Sequence, residues 1–212
     1  MKNFLSLTFL TLIALNAISQ NMPAENGLVL PKEKLTVMLG RSLHHSGNLV
    51  GPIINTDYSC YFKKKLSLSI GIGATTHHRE WINEVEMPNG EIADGSFRML
   101  NSGIQGSTHL GYSFIRNRKN DFQIRIGALA RYQSRSNMEI SLLYPALTGW
   151  PIPVWEVYNY TPQNTYAVGA SIQLAYDYTI KDKLSIGLLA GYQYDTFGDA
   201  IQYISFILGR KF

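Results

Sequence analysis

From residue 165 to 180 hydrophobic and polar side chains alternate one by one. Even positions carry Tyr166, Val168, Ala170, Ile172, Leu174, Tyr176, Tyr178 and Ile180, and odd positions carry the small or polar Thr165, Ala167, Gly169, Ser171, Gln173, Ala175, Asp177 and Thr179. A period of two is that of a β-strand, whose successive side chains point to opposite faces. The split returns in residues 184–194, where Ile186, Leu188, Ala190 and Tyr192 oppose Ser185, Gly187, Leu189, Gly191 and Gln193. It recurs in residues 122–132, where Ile124, Ile126 and Ala128 oppose Gln123, Arg125, Gly127 and Arg131, and again in 66–75 and 104–114. Weaker versions occupy residues 35–42, 53–62 and 201–212, and the pattern predicts eight strands in all.

A soluble sandwich also alternates, but its outward polar face is charged. Here that face is mostly Gly, Ser, Thr and Gln, which suits the narrow interior of a barrel whose apolar face looks out. Tyr residues gather near strand ends, as in Tyr132, Tyr166, Tyr176, Tyr178, Tyr192 and Tyr194, where rings meet lipid headgroups. Connections alternate in length: residues 63–65, 116–121 and 181–183 are short turns, while 44–51, 77–100, 133–165 and the brief 196–200 lie at the other end. The predicted fold is all-β, an eight-stranded antiparallel up-and-down transmembrane β-barrel with short turns and both chain ends on the periplasmic side.

Composition sharpens this picture. Charged residues are 16% of the 212, against roughly 25% in an ordinary soluble domain. Aromatic residues reach 12%, with 13 Tyr and 9 Phe. Beyond the first twenty residues no apolar run is long enough for a spanning helix, which excludes a helical multi-span protein. Lys2, an apolar stretch from Phe4 to Ala17 and the small residues Ala17-Ile18-Ser19 predict a signal peptide over residues 1–19. A periplasmic segment over 20–33 and the barrel over 34–212 follow it. Removing Lys2 lowers the formal charge from +4 to +3, too diffuse for nucleic acid. Cys60 is the single cysteine, so no internal disulfide is available.

The last residues, Ile204-Ser205-Phe206-Ile207-Leu208-Gly209-Arg210-Lys211-Phe212, place Phe206, Leu208 and Phe212 on one face and end on an aromatic. This resembles the C-terminal assembly signal of bacterial outer-membrane barrels. With the leader and eight strands, the chain as a whole resembles the small outer-membrane barrels of the OmpA and OmpX type, in particular those of Bacteroidetes; Arg210 departs from the apolar pattern near the interface, where it can snorkel. The resemblance implies an outer-membrane location reached by export, contact with outer-membrane lipids, and the barrel assembly machinery and periplasmic chaperones as partners. It fixes no activity.

An eight-stranded barrel is just wide enough for side chains to fill, so inward charge must be paired or hydrated. Asp57, Arg125, Arg131, Asp177 and His109 are the expected interior polar network. If residues 122–132 pair with 166–176, Phe122 lies beside Tyr176, Arg125 reaches toward Asp177, and Arg131 crosses toward Asp57. A plug that specifies register is one reading of such a network, and a proton or ion pathway is the other. His44-His45 and His77-His78 invite a metal reading, but adjacent strand residues point to opposite faces and no Cys or carboxylate cluster supports them. No metal or cofactor is expected.

Neither His77, His78 nor His109 has a Ser two residues on, so the local signature of a lipid-modifying enzyme is missing and no enzyme is expected. A narrow channel for small apolar molecules would need a gap in the wall, for which Gly106 and Gly127 are the only hint. The alternation continues past Tyr132 through Met138, Ile140, Leu142 and Tyr144. Trp150, Trp155, Tyr158 and Tyr160 are candidate anchors for an extracellular protein or peptide, on a hairpin that either protrudes or folds over the mouth. Asn89-Gly90 is a hairpin turn signal in the preceding connection. The expected role is that of a monomer serving envelope structure or surface interaction.

Overall fold

In the computed structural model, which describes residues 30–46, 48–86, 90, 92–136, 140–144, 154–158, 164–181 and 183–212, the alternating segments are long hydrogen-bonded strands. In chain order they are β1 (Glu33–His44), β2 (Leu49–Tyr61), β3 (Leu66–Trp81), β4 (Glu84–Glu86), β5 (Ile92–Asp94), β6 (Phe97–Arg116), β7 (Asn120–Ser136), β8 (Ile140–Tyr144), β9 (Val154–Tyr158), β10 (Asn164–Ile180), β11 (Leu184–Asp195) and β12 (Ala200–Lys211). Eight of these close into one antiparallel barrel in the order β1-β12-β11-β10-β7-β6-β3-β2. Closure is made by β1, which pairs with β2 on one side and with β12 on the other, so neither end of the sheet is left as an open edge. The expected signal peptide lies outside the described residues. Of the N-terminal segment, Leu30 to Lys32 precede β1, and Glu33 already belongs to it.

The polarity of a soluble protein is reversed. Outward positions such as Ile72, Ile104 and Phe206 are 73%, 64% and 72% exposed, whereas the inward Ser67, Ser205 and Asp177 are at or below 1%. Phe206, Leu208 and Phe212 all lie on the outer face of the closing strand, as does the exposed Arg210. The register between β7 and β10 sets Tyr132 beside Tyr166 and Phe122 beside Tyr176. The upper rings are 4.8 Å apart, and below them Phe122, Phe114 and Tyr112 follow one another at 5.7 and 5.4 Å. Tyr166 and Tyr176 are ten positions apart on β10. At about 3.3 Å per residue and a tilt of about 40°, that is about 25 Å of height, the thickness of an outer-membrane apolar band.

The described parts of the two longer connections expected beyond His77 and Gln133 are largely strand. β3 and β6 stay paired up to Trp81 opposite Phe97, and β7 and β10 up to Ser134 opposite Asn164. Above the aromatic girdle the outer face meets water, and beyond His77 on β3 both faces do, so apolar alternation ends while backbone pairing continues. A reading based on apolar alternation therefore stops the strands too early. At the tips β4 pairs with β5, with Gly90 between them at φ +83°, and β8 pairs with β9 as a separate two-stranded sheet. Trp155 and Tyr158 contribute backbone to β9, while Trp150 and Tyr160 lie outside the described residues.

Inward glycines make room for large inward side chains. A Cβ on Gly71 would fall 1.9 Å from Asp57 Oδ1, and one on Gly191 would fall 2.2 Å from the Tyr203 ring. These glycines therefore decide which long polar groups can cross the lumen.

Candidate functional site

The chemistry-bearing side chains point into the barrel and form three tiers. At the turn end Lys34 of β1 forms an ion pair with Asp177 of β10. Lys211 Nζ donates to Thr179 Oγ1 at 2.6 Å, and the Tyr61 hydroxyl donates to Asp121 Oδ2 at 2.5 Å. Arg116 lies 3.5 Å over the Tyr61 ring and donates to the carbonyls of Lys64 and Pro31 at 2.7 and 2.5 Å. The cleft left between Pro31, Tyr61, Arg116, Asp121 and Lys211 has about 10 Å³, at the lower limit for one water molecule.

In the middle tier Arg125 crosses the lumen to Asp57, Nη1 to Oδ2 at 3.4 Å, and its Nε donates to Gln123 Oε1 at 2.7 Å. Gln123 Nε2 in turn donates to Ser67 Oγ at 2.5 Å. His109 Nε2 stands 2.8 Å from Ser171 Oγ and 3.1 Å from Gln173 Nε2, which also donates to the Tyr203 hydroxyl at 2.9 Å. Around them Met38, Ile53, Ala175, Leu189, Ile201, Tyr203 and Ile207 form an apolar cluster.

In the upper tier Arg131 is held by Gln105 Oε1 at 2.8 Å, Gln193 Oε1 at 2.5 Å and Asp195 Oδ2 at 3.2 Å. Beside it the His44 and His77 rings meet edge to face with centroids 5.3 Å apart. His77 Nε2 is 2.7 Å from Ser42 Oγ, and His44 Nε2 is 2.9 Å from Asn101 Nδ2. Asp199, on the turn between β11 and β12, accepts from Ser46 at 2.5 Å and from Gln133 at 2.8 Å.

All five expected network residues are thus buried inside, but their partners differ from the expected ones. Arg125 pairs with Asp57, not Asp177, and Arg131 pairs with Asp195, not Asp57. Along the wall Arg125 stands opposite Gln173, four positions from Asp177, or about 13 Å of strand. A long side chain reaches more easily across the interior than along its own wall, so Arg125 finds its partner on β2, three strands round the barrel, and Arg131 finds its own on β11, on the far side of β10. Sequence reasoning overlooked Lys34, Asp121, Asp195, Asp199 and Lys211 as members. Lys34, Asp121, Asp195 and Lys211 keep the inward parity of Thr36, Gln123, Gln193 and Ile207 at the ends of their strands, which is the signal that could have found them.

Burial works against the Asp199 carboxylate, yet the hydrogen bonds from Ser46 and Gln133, with His44 and Arg135 nearby, hold its pKa below the usual carboxylate range. A depressed folded-state pKa means stabilisation that is complete above the unfolded value of about 4 and is lost as pH falls through the folded value. Asp199→Asn should therefore be less stable than wild type at neutral pH, and the gap should close on acidification below about pH 4. Thermal unfolding in detergent across pH 3–7 measures this; a gap independent of pH would contradict the assignment. On the projecting β3–β6 hairpin, Arg98 hydrogen-bonds to Glu80 and holds its carboxyl below the ordinary range.

The Ser–His contacts join residues 35 and 62 positions apart in the chain, Ser42 with His77 and His109 with Ser171, so no local motif could show them. All four side chains are buried inside the barrel. Among the described residues no group of three His, Cys, Asp or Glu side chains is arranged to hold a metal. Gly106 and Gly127 do not open the wall: Gly106 pairs with Ala130 and Gly127 with His109 in the part of the β6–β7 ladder that runs without a register shift from Leu100 to Ser113. They also face opposite ways. Gly106 floors a groove of about 830 Å³ on the outer surface, bordered by Ile72, Ile104, Tyr166 and Val168, while a Cβ on Gly127 would strike His109 inside.

No family model matches this chain, and no curated protein matches it. Among solved structures it is similar to Ail, the attachment invasion locus protein of Yersinia pestis, at 8% identity over 87% of this chain and 100% of that one, with a TM-score of 0.49. It is also similar to Neisserial surface protein A, at 10% identity over 85% and 96% of the two chains and a TM-score of 0.48. For OprG, an outer membrane protein of Pseudomonas aeruginosa, the figures are 10%, 86%, 97% and 0.46. Likeness at this level carries no activity, ligand or partner over to this chain.

Proposed function

We propose that the chain is an integral outer-membrane β-barrel with a sealed interior, serving envelope structure or surface interaction and neither conducting nor catalysing. The observation that carries this reading is the reversal of polarity: an apolar band about 25 Å tall between aromatic rows encloses ionic groups paired between non-adjacent strands inside the lumen. Closure of β1 on β12 needs no second chain, which favours a monomer. Export by the predicted leader, handling by periplasmic chaperones, and insertion by the assembly machinery through Phe206, Leu208 and Phe212 complete the proposal. Surface interaction is supported by the β3–β6 hairpin. Trp81 is seven positions beyond Ala74 of the upper aromatic row, roughly 15–20 Å higher, and exposes its ring with Ile82 and Ile92 where no lipid covers them. An extracellular protein or peptide would dock there and on the β8–β9 hairpin.

The wild-type protein reconstituted in a planar bilayer should show no steady ionic conductance. Arg125→Ala combined with Arg131→Ala should admit short leak currents, because two ion pairs that fill the lumen are cut. A stable open conductance in the wild type would overturn the sealed barrel and promote the channel reading. Partitioning with detergent-extracted envelopes tests the location, and full solubility without detergent would overturn it.

A further inference from the structure

We propose that the turn end of the barrel is a binding surface for the anionic headgroups of phospholipids, an inference that rests on the membrane reading above. The β2–β3 turn is Lys63-Lys64-Lys65, the β6–β7 turn contains Arg118-Lys119, and Lys181 and Lys183 flank the β10–β11 turn; all of them are exposed. In the barrel order the β6–β7 turn lies between the other two on one side, and on the other side the junction of β1 with β12 lies between them, where Arg210 and Lys32 are also exposed. The cations therefore ring the whole rim.

Few acids offset them. Asp121 and Asp177 are buried and engaged by Tyr61 and Lys34, Glu33 is half-buried, and the sequence places one further acid, Asp182, between two lysines. The opposite end mixes signs: Arg98 pairs with Glu80, and Glu84, Glu86 and Asp94 stand nearby in sequence. So the charge asymmetry lies along the barrel axis.

Two contacts set the height of the rim relative to the bilayer. Lys65 Nζ lies 6.0 Å from the centre of the Tyr112 ring, and the Arg210 guanidinium 5.4 Å from that of Phe212. These rings belong to the lower aromatic row, at the level of the headgroups. Long cationic side chains anchored there present their charge to lipid phosphates with the stems against the apolar band. A ring of such groups attracts anionic lipids to the surrounding shell at any point of the circumference, an attraction that salt screens.

The test compares wild type with a variant carrying Lys63→Gln, Lys64→Gln, Lys65→Gln, Lys119→Gln, Lys181→Gln and Lys183→Gln, and with the Lys63→Gln, Lys64→Gln, Lys65→Gln triple variant. Each is refolded into phosphatidylcholine vesicles, and folding is scored by heat-modifiable gel mobility. Spin-labelled phosphatidylglycerol and phosphatidylcholine then report the immobilised lipid shell. Wild type should prefer phosphatidylglycerol by about threefold at low ionic strength, the triple variant by less, and the sixfold variant not at all. High salt should abolish the wild-type preference. Failure of wild type to insert into any vesicle would overturn the membrane reading itself. Insertion without a lipid preference, or an undiminished preference in the sixfold variant, would overturn only this inference. Defective assembly in cells with the vesicle preference unchanged by the substitutions would assign the lysines to a protein partner and overturn it too.

Discussion

Arg131→Ala should destabilise the folded barrel by about 3–5 kcal/mol, because it leaves Asp195 charged and buried with its ionic partner gone. Arg131 is the best-connected cation of the interior: Gln105 and Gln193 accept from it along with Asp195, and both ionic side chains are at most 2% exposed. The cost should be mostly that of the stranded carboxylate, not of a lost attraction. Arg131→Met with Asp195→Leu, which removes both charges and keeps apolar volume, should therefore recover most of the stability. Reversible urea unfolding of the refolded protein, followed by tryptophan fluorescence, measures both. Equal destabilisation in the single and double variants would show that the site works through shape alone.

Ile172→Arg should cost about 2–4 kcal/mol, since it puts a guanidinium against hydrocarbon near the bilayer midplane. Ile172 is 45% exposed on the outer face and sits between Tyr166 and Tyr176, the residues that bound the apolar band on β10. One position away, Ser171→Arg enters the lumen beside His109, where the difficulty is volume and an unmatched charge. The two variants should respond differently to bilayer thickness. Insertion of the Ile172 variant should improve in thinner bilayers, where the guanidinium reaches the interface, and the Ser171 variant should be nearly indifferent. The opposite dependence would mean that inside and outside are exchanged along β10.

Alternation of residue type was enough to read the barrel, because a period of two assigns each side chain to a face without knowing its neighbours. Ile172 and Ser171 are separable by parity alone, and so are the outward Phe206, Leu208 and Phe212. The register that sets Tyr176 beside Phe122 also follows from sequence once residues 122–132 are paired with 166–176 so that the aromatic ends of the two strands align. Parity likewise puts Arg125, Arg131, Asp57, Asp177 and His109 inside. What it cannot supply is depth relative to a facing strand. Arg125 and Asp57 are 68 positions apart and meet only because closure brings β2 across from β7.

The sequence by itself determined the strands, their inward and outward faces and the basic turns, since these depend on local periodicity and on the composition of short segments. Only the tertiary structure decided the pairing of Lys34 with Asp177, of Arg125 with Asp57 and of Arg131 with Asp195, and the meetings of Ser42 with His77 and Ser171 with His109. It also decided that β3 and β6 remain a ladder up to Trp81 and Phe97. The physical reason is the same in each case. A contact between inward side chains of non-adjacent strands depends on the stagger of those strands and on the space that residues such as Gly71 leave open, and strand pairing above the membrane is a matter of backbone hydrogen bonds that no pattern of side-chain polarity records.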